Sequence, residues 1–248
     1  MSATLLGSAS GSLEAGAPSW TIRLARWLLP LSGLLALAGY FGPWLPHRAA
    51  GLVITGLDLG EVVKFLPPVQ SGQIPLWREG FYLPLVAVSL AFGLHAWRGE
   101  LGYPWPVRVT LLGVAVVAGL NLLPPAWTPQ RLLTPEFRLQ TGALIACLAL
   151  AGVSPLLALL PRWLSALATL AVTLPALGIP LQGFLRVLPV LSQLYNRPLA
   201  PGWGLWLTEL GLLGLAVSAG LLAWPQGSLD RGPERNLDRT AESEREHA

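Results

Sequence analysis

Charge is what this chain has least of: 12% of its 248 residues are Asp, Glu, Lys or Arg, about half the share of a soluble globular domain. Hydrophobic residues make up 53%, more apolar surface than a water-soluble core of this length absorbs. Cysteine is nearly absent too. Cys147 stands alone inside an apolar run, which excludes an intrachain disulfide and any cysteine-based metal site. Lys64 is the sole lysine, and although the formal charge is +3, no cluster of basic residues tracks a phosphate backbone, so nucleic acid is excluded as a partner. No glycine-rich phosphate cradle is present, and no Ser, Thr or Cys is accompanied by a histidine base in a recognisable motif.

What remains is a set of long uncharged runs. A helix that crosses a bilayer needs about 20 predominantly apolar residues, and six stretches qualify: Trp27 to Pro46, Gly80 to Trp97, Val109 to Gln130, Leu139 to Pro161, Trp163 to Leu185, and Trp203 to Trp224, the last interrupted by Glu209. Tryptophans at or near the ends of these runs, among them Trp27, Trp44, Trp97, Trp105, Trp163, Trp203 and Trp224, fit the headgroup level of a bilayer. Pro30 and Pro84 are expected in first turns, where a missing N–H costs little. The expected fold is all-α: a polytopic transmembrane bundle of six spans, or five if the 163–185 run, with Pro175 and Pro180 in its second half, does not cross.

Three segments follow from this division: a flexible N-terminal stretch over 1–21, a transmembrane domain over 22–225, and a charged tail over 226–248. The tail repeats acidic–arginine pairs, as at Asp230-Arg231 and Glu234-Arg235, but holds little apolar surface, so disorder is expected there. The first 20 residues lack a basic stretch ahead of an apolar core, which argues for an uncleaved first span. With both ends cytoplasmic, nine arginines fall inside, and Lys64 with six arginines falls outside. That bias, with short inner loops and long proline-rich outer ones, places the chain in the cell membrane with both termini inside.

Three outer loops open on a leucine–proline step, at Leu66-Pro67, Leu123-Pro124 and Leu188-Pro189. The first of these loops carries Leu59, Val62, Val63 and Leu66 at i, i+3, i+4 and i+7, the period of a short amphipathic helix ended by Pro67. Asp58, Glu61 and Lys64 fall on its other face, expected to be solvated.

Candidates for chemistry are few. Glu209 is the sole charged residue inside an expected span, and a carboxylate in hydrocarbon is a functional candidate by default; Arg186 and Arg197 are its potential partners. Asp58 and Glu61, three residues apart on one helix face, are the other candidate polar pair. His47 and His95 fall at opposite ends of the bundle, so no haem or zinc centre is expected and no cofactor is assigned; His95 is read as interfacial packing. Gly211, Gly214, Gly220 and Ala216 give the last span a small-residue surface for close helix packing. These features point to a non-catalytic permease or accessory subunit of a membrane transport complex. The expected partners are the lipid bilayer, other membrane subunits and a separate ATPase chain. A structural or assembly subunit, or a lipid-modifying enzyme using Glu209 with Asp58 or Glu61, are the alternatives.

Overall fold

The computed structural model describes residues 20–46, 53–124 and 127–224. The tail over 226–248 and nearly all of the 1–21 segment lie outside these residues; Trp20 and Thr21 already belong to the first helix. In chain order the described helices are α1 (Trp20–Tyr40), α2 (Gly56–Val62), α3 (Pro67–Gln70), α4 (Leu83–His95), α5 (Trp105–Leu120), α6 (Pro129–Leu132), α7 (Arg138–Gly152), α8 (Ser154–Leu157), α9 (Arg162–Leu194) and α10 (Trp203–Ala223). The chain is mostly helical. Two strands of two residues each, β1 (Leu45–Pro46) and β2 (Val53–Ile54), pair antiparallel with Leu45 opposite Ile54.

Three helices are long and apolar enough to cross a membrane: α1, α9 and α10. At 1.5 Å per residue, the 21 residues of α1 and of α10 extend about 32 Å, and the 33 of α9 about 50 Å. The other apolar helices are shorter, with 13 residues in α4, 16 in α5 and 15 in α7. A 3₁₀ segment, Arg78–Tyr82, leads into α4.

The six apolar helices alternate in direction, as polar contacts at their ends demonstrate. At one end Gly202 N–H, just before α10, donates to Trp44 O at 2.7 Å, and Arg78 bonds Glu136 ahead of α7. At the opposite end Tyr103 bonds the Arg26 carbonyl, Arg98 bonds the Leu160 carbonyl, and Arg162 bonds the Trp224 carbonyl. These are called below the α2 end and the Arg98 end. Helix α4 is central, burying ten of its 13 residues against α1, α5, α7, α9 and α10.

The tightest seam joins α1 to α10, because glycines let the two backbones approach within side-chain distance. A Cβ on Gly204 would stand 2.6 Å from the Gly42 carbonyl carbon, and one on Gly211 would overlap the Ala36 backbone. Gly211 and Gly214 therefore face α1 as the small-residue pattern suggests, whereas Gly220 has open space around it.

Several expected boundaries move. Helix α1 begins seven residues before Trp27 and ends at Tyr40, so Pro30 is mid-helix rather than in a first turn. The 163–185 run neither breaks nor stops at Pro175 or Pro180: α9 continues through both and through Pro189. The Leu188-Pro189 step thus lies inside a helix and opens no loop. Each proline deprives the carbonyl four residues earlier of its donor, but packing of Ala176, Pro180, Phe184, Val187 and Leu191 in the interior holds the helix together, a tolerance common where neighbouring helices enclose the chain. What ends α9 is a Schellman turn. Asn196, at φ 50°, takes the left-handed conformation that asparagine tolerates. Its N–H donates to Gln193 O, and that of Arg197 to Ser192 O, both at 3.1 Å.

Candidate functional site: the polar cap over the α2 end

Helix α2 forms where the sequence places a capping box. Thr55 Oγ1 accepts from Asp58 N–H at 3.3 Å, while Asp58 Oδ2 accepts from Thr55 N–H at 3.0 Å and from its hydroxyl at 2.8 Å. Leu59, Val63 and Leu66 are buried and Val62 is half-buried, so the expected apolar face docks onto the bundle. Two glycines complete that face. Gly56 lies on the rings of Tyr40 and Trp44, and a Cβ on Gly60 would meet Tyr82 Cζ at 2.9 Å. A 3₁₀ turn, Val63–Phe65, prolongs α2, and the break comes at Leu66 (ψ 122°), after which Pro67 opens α3 rather than ending helical structure.

Beneath this cap is an aromatic floor. Trp44 makes edge contacts with Tyr40, Phe81 and Phe184 at centroid distances of 6.1, 6.5 and 6.0 Å, the arrangement ring quadrupoles favour. Tyr40 and Trp44 are fully buried, and neither the Tyr40 hydroxyl nor the Trp44 indole N–H has a hydrogen-bond partner.

The rim of the cap is a network of charge. Glu61 accepts from Lys64 Nζ at 2.7 Å and from the Tyr82 hydroxyl at 2.8 Å. Lys64 also stands 3.9 Å from Glu136. Arg78 bonds the Glu136 carboxylate at 3.2 Å, its carbonyl at 3.0 Å and Glu79 at 3.1 Å, and packs 5.7 Å from the centroid of Phe137. The network ties three segments together: α2, the turn before α4, and the connection between α5 and α7. Burial works to raise the Glu61 carboxyl, but the hydrogen bonds from Lys64 and Tyr82 outweigh it and hold the pKa below the ordinary value. For Tyr82 burial comes first and the Glu61 carboxylate adds to it, so its hydroxyl is pushed up and remains a donor. Burial of Arg78 is outweighed by Glu79 and Glu136, which raise it.

This geometry corrects the solvated-face expectation for Glu61 and Lys64, which are half-buried, while Asp58 is exposed as expected. The Glu61 side chain is 21% exposed and committed to two donors, and Asp58 is committed to the helix cap. Neither is a free base, and no contact brings Glu209 to them. Glu209 is half-buried in α10 beside Thr208, and its Oε1 is buried without a partner. Arg186 bonds the Pro75 carbonyl instead, at 3.1 Å, and among the described residues no ion pair joins Glu209 to Arg197. Among the described residues, no group of three or more His, Cys, Asp or Glu is placed to hold a metal ion.

Other polar groups gain importance from the fold. His95 is wholly buried, with Nε2 3.1 Å from Thr169 Oγ1. Because that hydroxyl donates to the Ser165 carbonyl at 2.9 Å, it accepts from Nε2–H, which leaves Nδ1 the bare nitrogen. Arg98, 1% exposed, donates to the Leu160 carbonyl at 2.8 Å and stands 3.5 Å from Glu100. The one sequence signal for both is an ionisable side chain close to the end of an apolar run. Comparison with protein-family models, with curated proteins and with solved structures finds no match to this chain.

Proposed function

We propose that the chain is a six-crossing membrane protein, both ends cytoplasmic, that serves as a non-catalytic subunit of a larger membrane assembly, a transport complex being the first candidate. The crossings are α1, α4, α5, α7, α9 and α10. Helices α4, α5 and α7 extend about 20, 24 and 22 Å and call for a locally thinned bilayer. The Arg98 end, with its short connections and arginines, is the cytoplasmic one.

One observation carries the non-catalytic reading: the waist of the bundle is filled with apolar side chains. Ala36, Ala87, Val88, Ala91, Phe92, Ala176, Leu212 and Leu215 are buried there, and the Phe92 ring occupies the space a side chain at Gly33 would need. Several buried serines and threonines donate to backbone carbonyls, as Thr208 does to Gly204, Ser218 to Gly214 and Ser89 to Ala115, and so offer little to a passing solute; the Thr173 hydroxyl is buried without a partner. Meanwhile α7 buries four of its 15 residues, and Leu139, Ile145, Leu156 and Leu159 are exposed on the α7–α8 side. Such a surface suits lipid or another membrane helix.

Affinity purification in mild detergent, with identification of the recovered chains, tests this. Stoichiometric co-purification of other membrane subunits is the expected result; recovery of a lone monomer removes the reading. The topology has its own check. Cysteines introduced by Gln70→Cys and Ser228→Cys should label from opposite sides of the membrane, and labelling from one side sinks the six crossings. A second reading, solute transport by this chain itself, is favoured by the unpartnered Glu209 Oε1. Transport by the purified chain in liposomes, abolished by Glu209→Gln, would replace the first reading with the second.

A further inference from the structure

We infer that the rim of the Arg98 end, where α1 and α5 are joined, binds the phosphate of an anionic phospholipid headgroup. The inference rests on the membrane reading above. Tyr103 organises the rim: its hydroxyl donates to the Arg26 carbonyl at 2.7 Å, and its own carbonyl accepts from Arg108 Nε at 2.8 Å. Tyr103 thus ties the Arg26 backbone and the Arg108 side chain to one turn, and Arg26 Nη1 lies 3.7 Å from where a Cβ on the neighbouring Gly102 would stand. The Arg108 guanidinium lies 5.0 Å over the Trp97 ring, which in turn packs against Trp105 at 5.5 Å, and Arg26 lies 5.8 Å from the Trp27 centroid. Stacking on indoles fixes a guanidinium plane and leaves its edge free.

Those edges have no ion-pair partner among the described residues. The one described acid at this end, Glu100, stands by Arg98. Two planar forks with free N–H groups suit the oxygens of a phosphate. A lipid rather than a free anion is indicated by what adjoins them. Toward the middle of the bundle from them, Leu31 on α1 and Val109 on α5 are exposed, giving acyl chains an apolar surface below a cationic rim, the usual arrangement where basic residues meet anionic headgroups.

The test is a thermal-shift titration of the full chain, purified in neutral detergent, with dioctanoyl phosphatidylglycerol, dioctanoyl phosphatidylcholine and inorganic phosphate. Phosphatidylglycerol should raise Tm saturably and the other two should not. The double variant R26Q/R108Q should bind it roughly thirtyfold more weakly, the effect of two surface cations. R131Q, at the α2 end, should leave the affinity unchanged. Should the glutamine pair fail to fold, R26K/R108K retains the charge without the fork and should still weaken binding severalfold.

Equal shifts with phosphatidylcholine, an equal shift with inorganic phosphate, or unaltered affinity in a folded double variant would each overturn the proposal. So would lipid uptake seen only after deletion of residues 225–248, which would assign the rim to the tail's carboxylates. A chain recovered in the soluble fraction without detergent would instead end the membrane reading itself.

Discussion

The polar cap at the α2 end and the arginine rim at the Arg98 end treat charge in opposite ways. At the α2 end, Lys64 and Arg78 are met by Glu61, Glu79 and Glu136 within hydrogen-bonded or ion-paired distance, and the connections there fold onto one another. At the Arg98 end, Arg23, Arg26, Arg98, Arg108 and Arg162 stand with one described carboxylate, Glu100. The cap at the first end pairs Lys64 and Arg78 with acids and closes over buried aromatics, while Arg131, Arg138, Arg186 and Arg197 around it form no ion pair among the described residues. The second orders its arginines by backbone carbonyls and indole faces, and leaves most of their charge for whatever surrounds the protein. Arg98 is the exception there, since it is buried and structural.

That exception gives the largest expected effect. Arg98→Ala would strip the Leu160 carbonyl of a charge-assisted donor and open a void between the end of α4 and the start of α9. Loss of a hydrogen bond from a charged group costs about 1.5–3 kcal/mol, and the vacated volume adds to it. A total of about 3 kcal/mol corresponds to a Tm lower by roughly 6–12 °C for a chain of this size, read by thermal unfolding in detergent. Arg23→Ala, on an exposed residue of α1, should change Tm by less than about 2 °C. Similar losses in the two variants would erase the distinction between buried and rim arginines.

A smaller change separates the seated cap from the open face of α5 by sign. Gly60→Ala places a methyl 2.9 Å from Tyr82 Cζ, so α2 must lift and stretch the Tyr82–Glu61 hydrogen bond. Overpacking costs about 1–3 kcal/mol, while replacing glycine in a helix returns about 1 kcal/mol. The net is a loss of about 1 kcal/mol, with faster amide exchange over residues 55–66 and none over 98–108. Gly113→Ala in α5, where nothing lies within 4 Å of the new methyl, keeps only the helix gain and should stabilise by about 0.5–1 kcal/mol. A stabilising Gly60→Ala would mean that α2 is not seated on Tyr82.

The sequence made the apolar helices legible because their charges fall between long uncharged runs, and it made α2 legible because Leu59, Val63 and Leu66 carry the helical period. It misplaced the end of α9. Prolines report the local cost of helix, whereas what holds α9 through Pro175, Pro180 and Pro189 is burial against helices distant in the chain. The polar cap was half visible. Asp58 and Glu61 stood out as acids, but their partners decide their role, and Tyr82 is 21 residues from Glu61 while Arg78 is 58 from Glu136. Tyr103 gave still less signal, since an aromatic near a span end is ordinary until two arginines are found on either side of it. Spacing within one helix reports a face; only the fold reports which faces meet.

The smallest expected effect is a pH dependence confined to one end. Glu61 has a folded pKa below its ordinary 4.5, so its anchoring contribution is complete above that value and is lost as pH falls through the folded pKa. Acidification below about 4.5 should therefore raise amide exchange over α2, after correction for intrinsic rates, while residues 103–108, held by the bonds of Tyr103 and Arg108 to backbone carbonyls, stay unchanged. Tyr82→Phe sharpens the assignment. Its hydroxyl is one of the donors that lower Glu61, so removing it moves the folded pKa upward and α2 should loosen at a higher pH than in the wild-type chain. A transition that stays at the same pH in Tyr82→Phe would give the acid sensitivity to a carboxylate other than Glu61, with Glu136 then the residue to substitute. Equal loosening at both ends would instead mean that the whole bundle responds to acid, and that the cap does not open by itself.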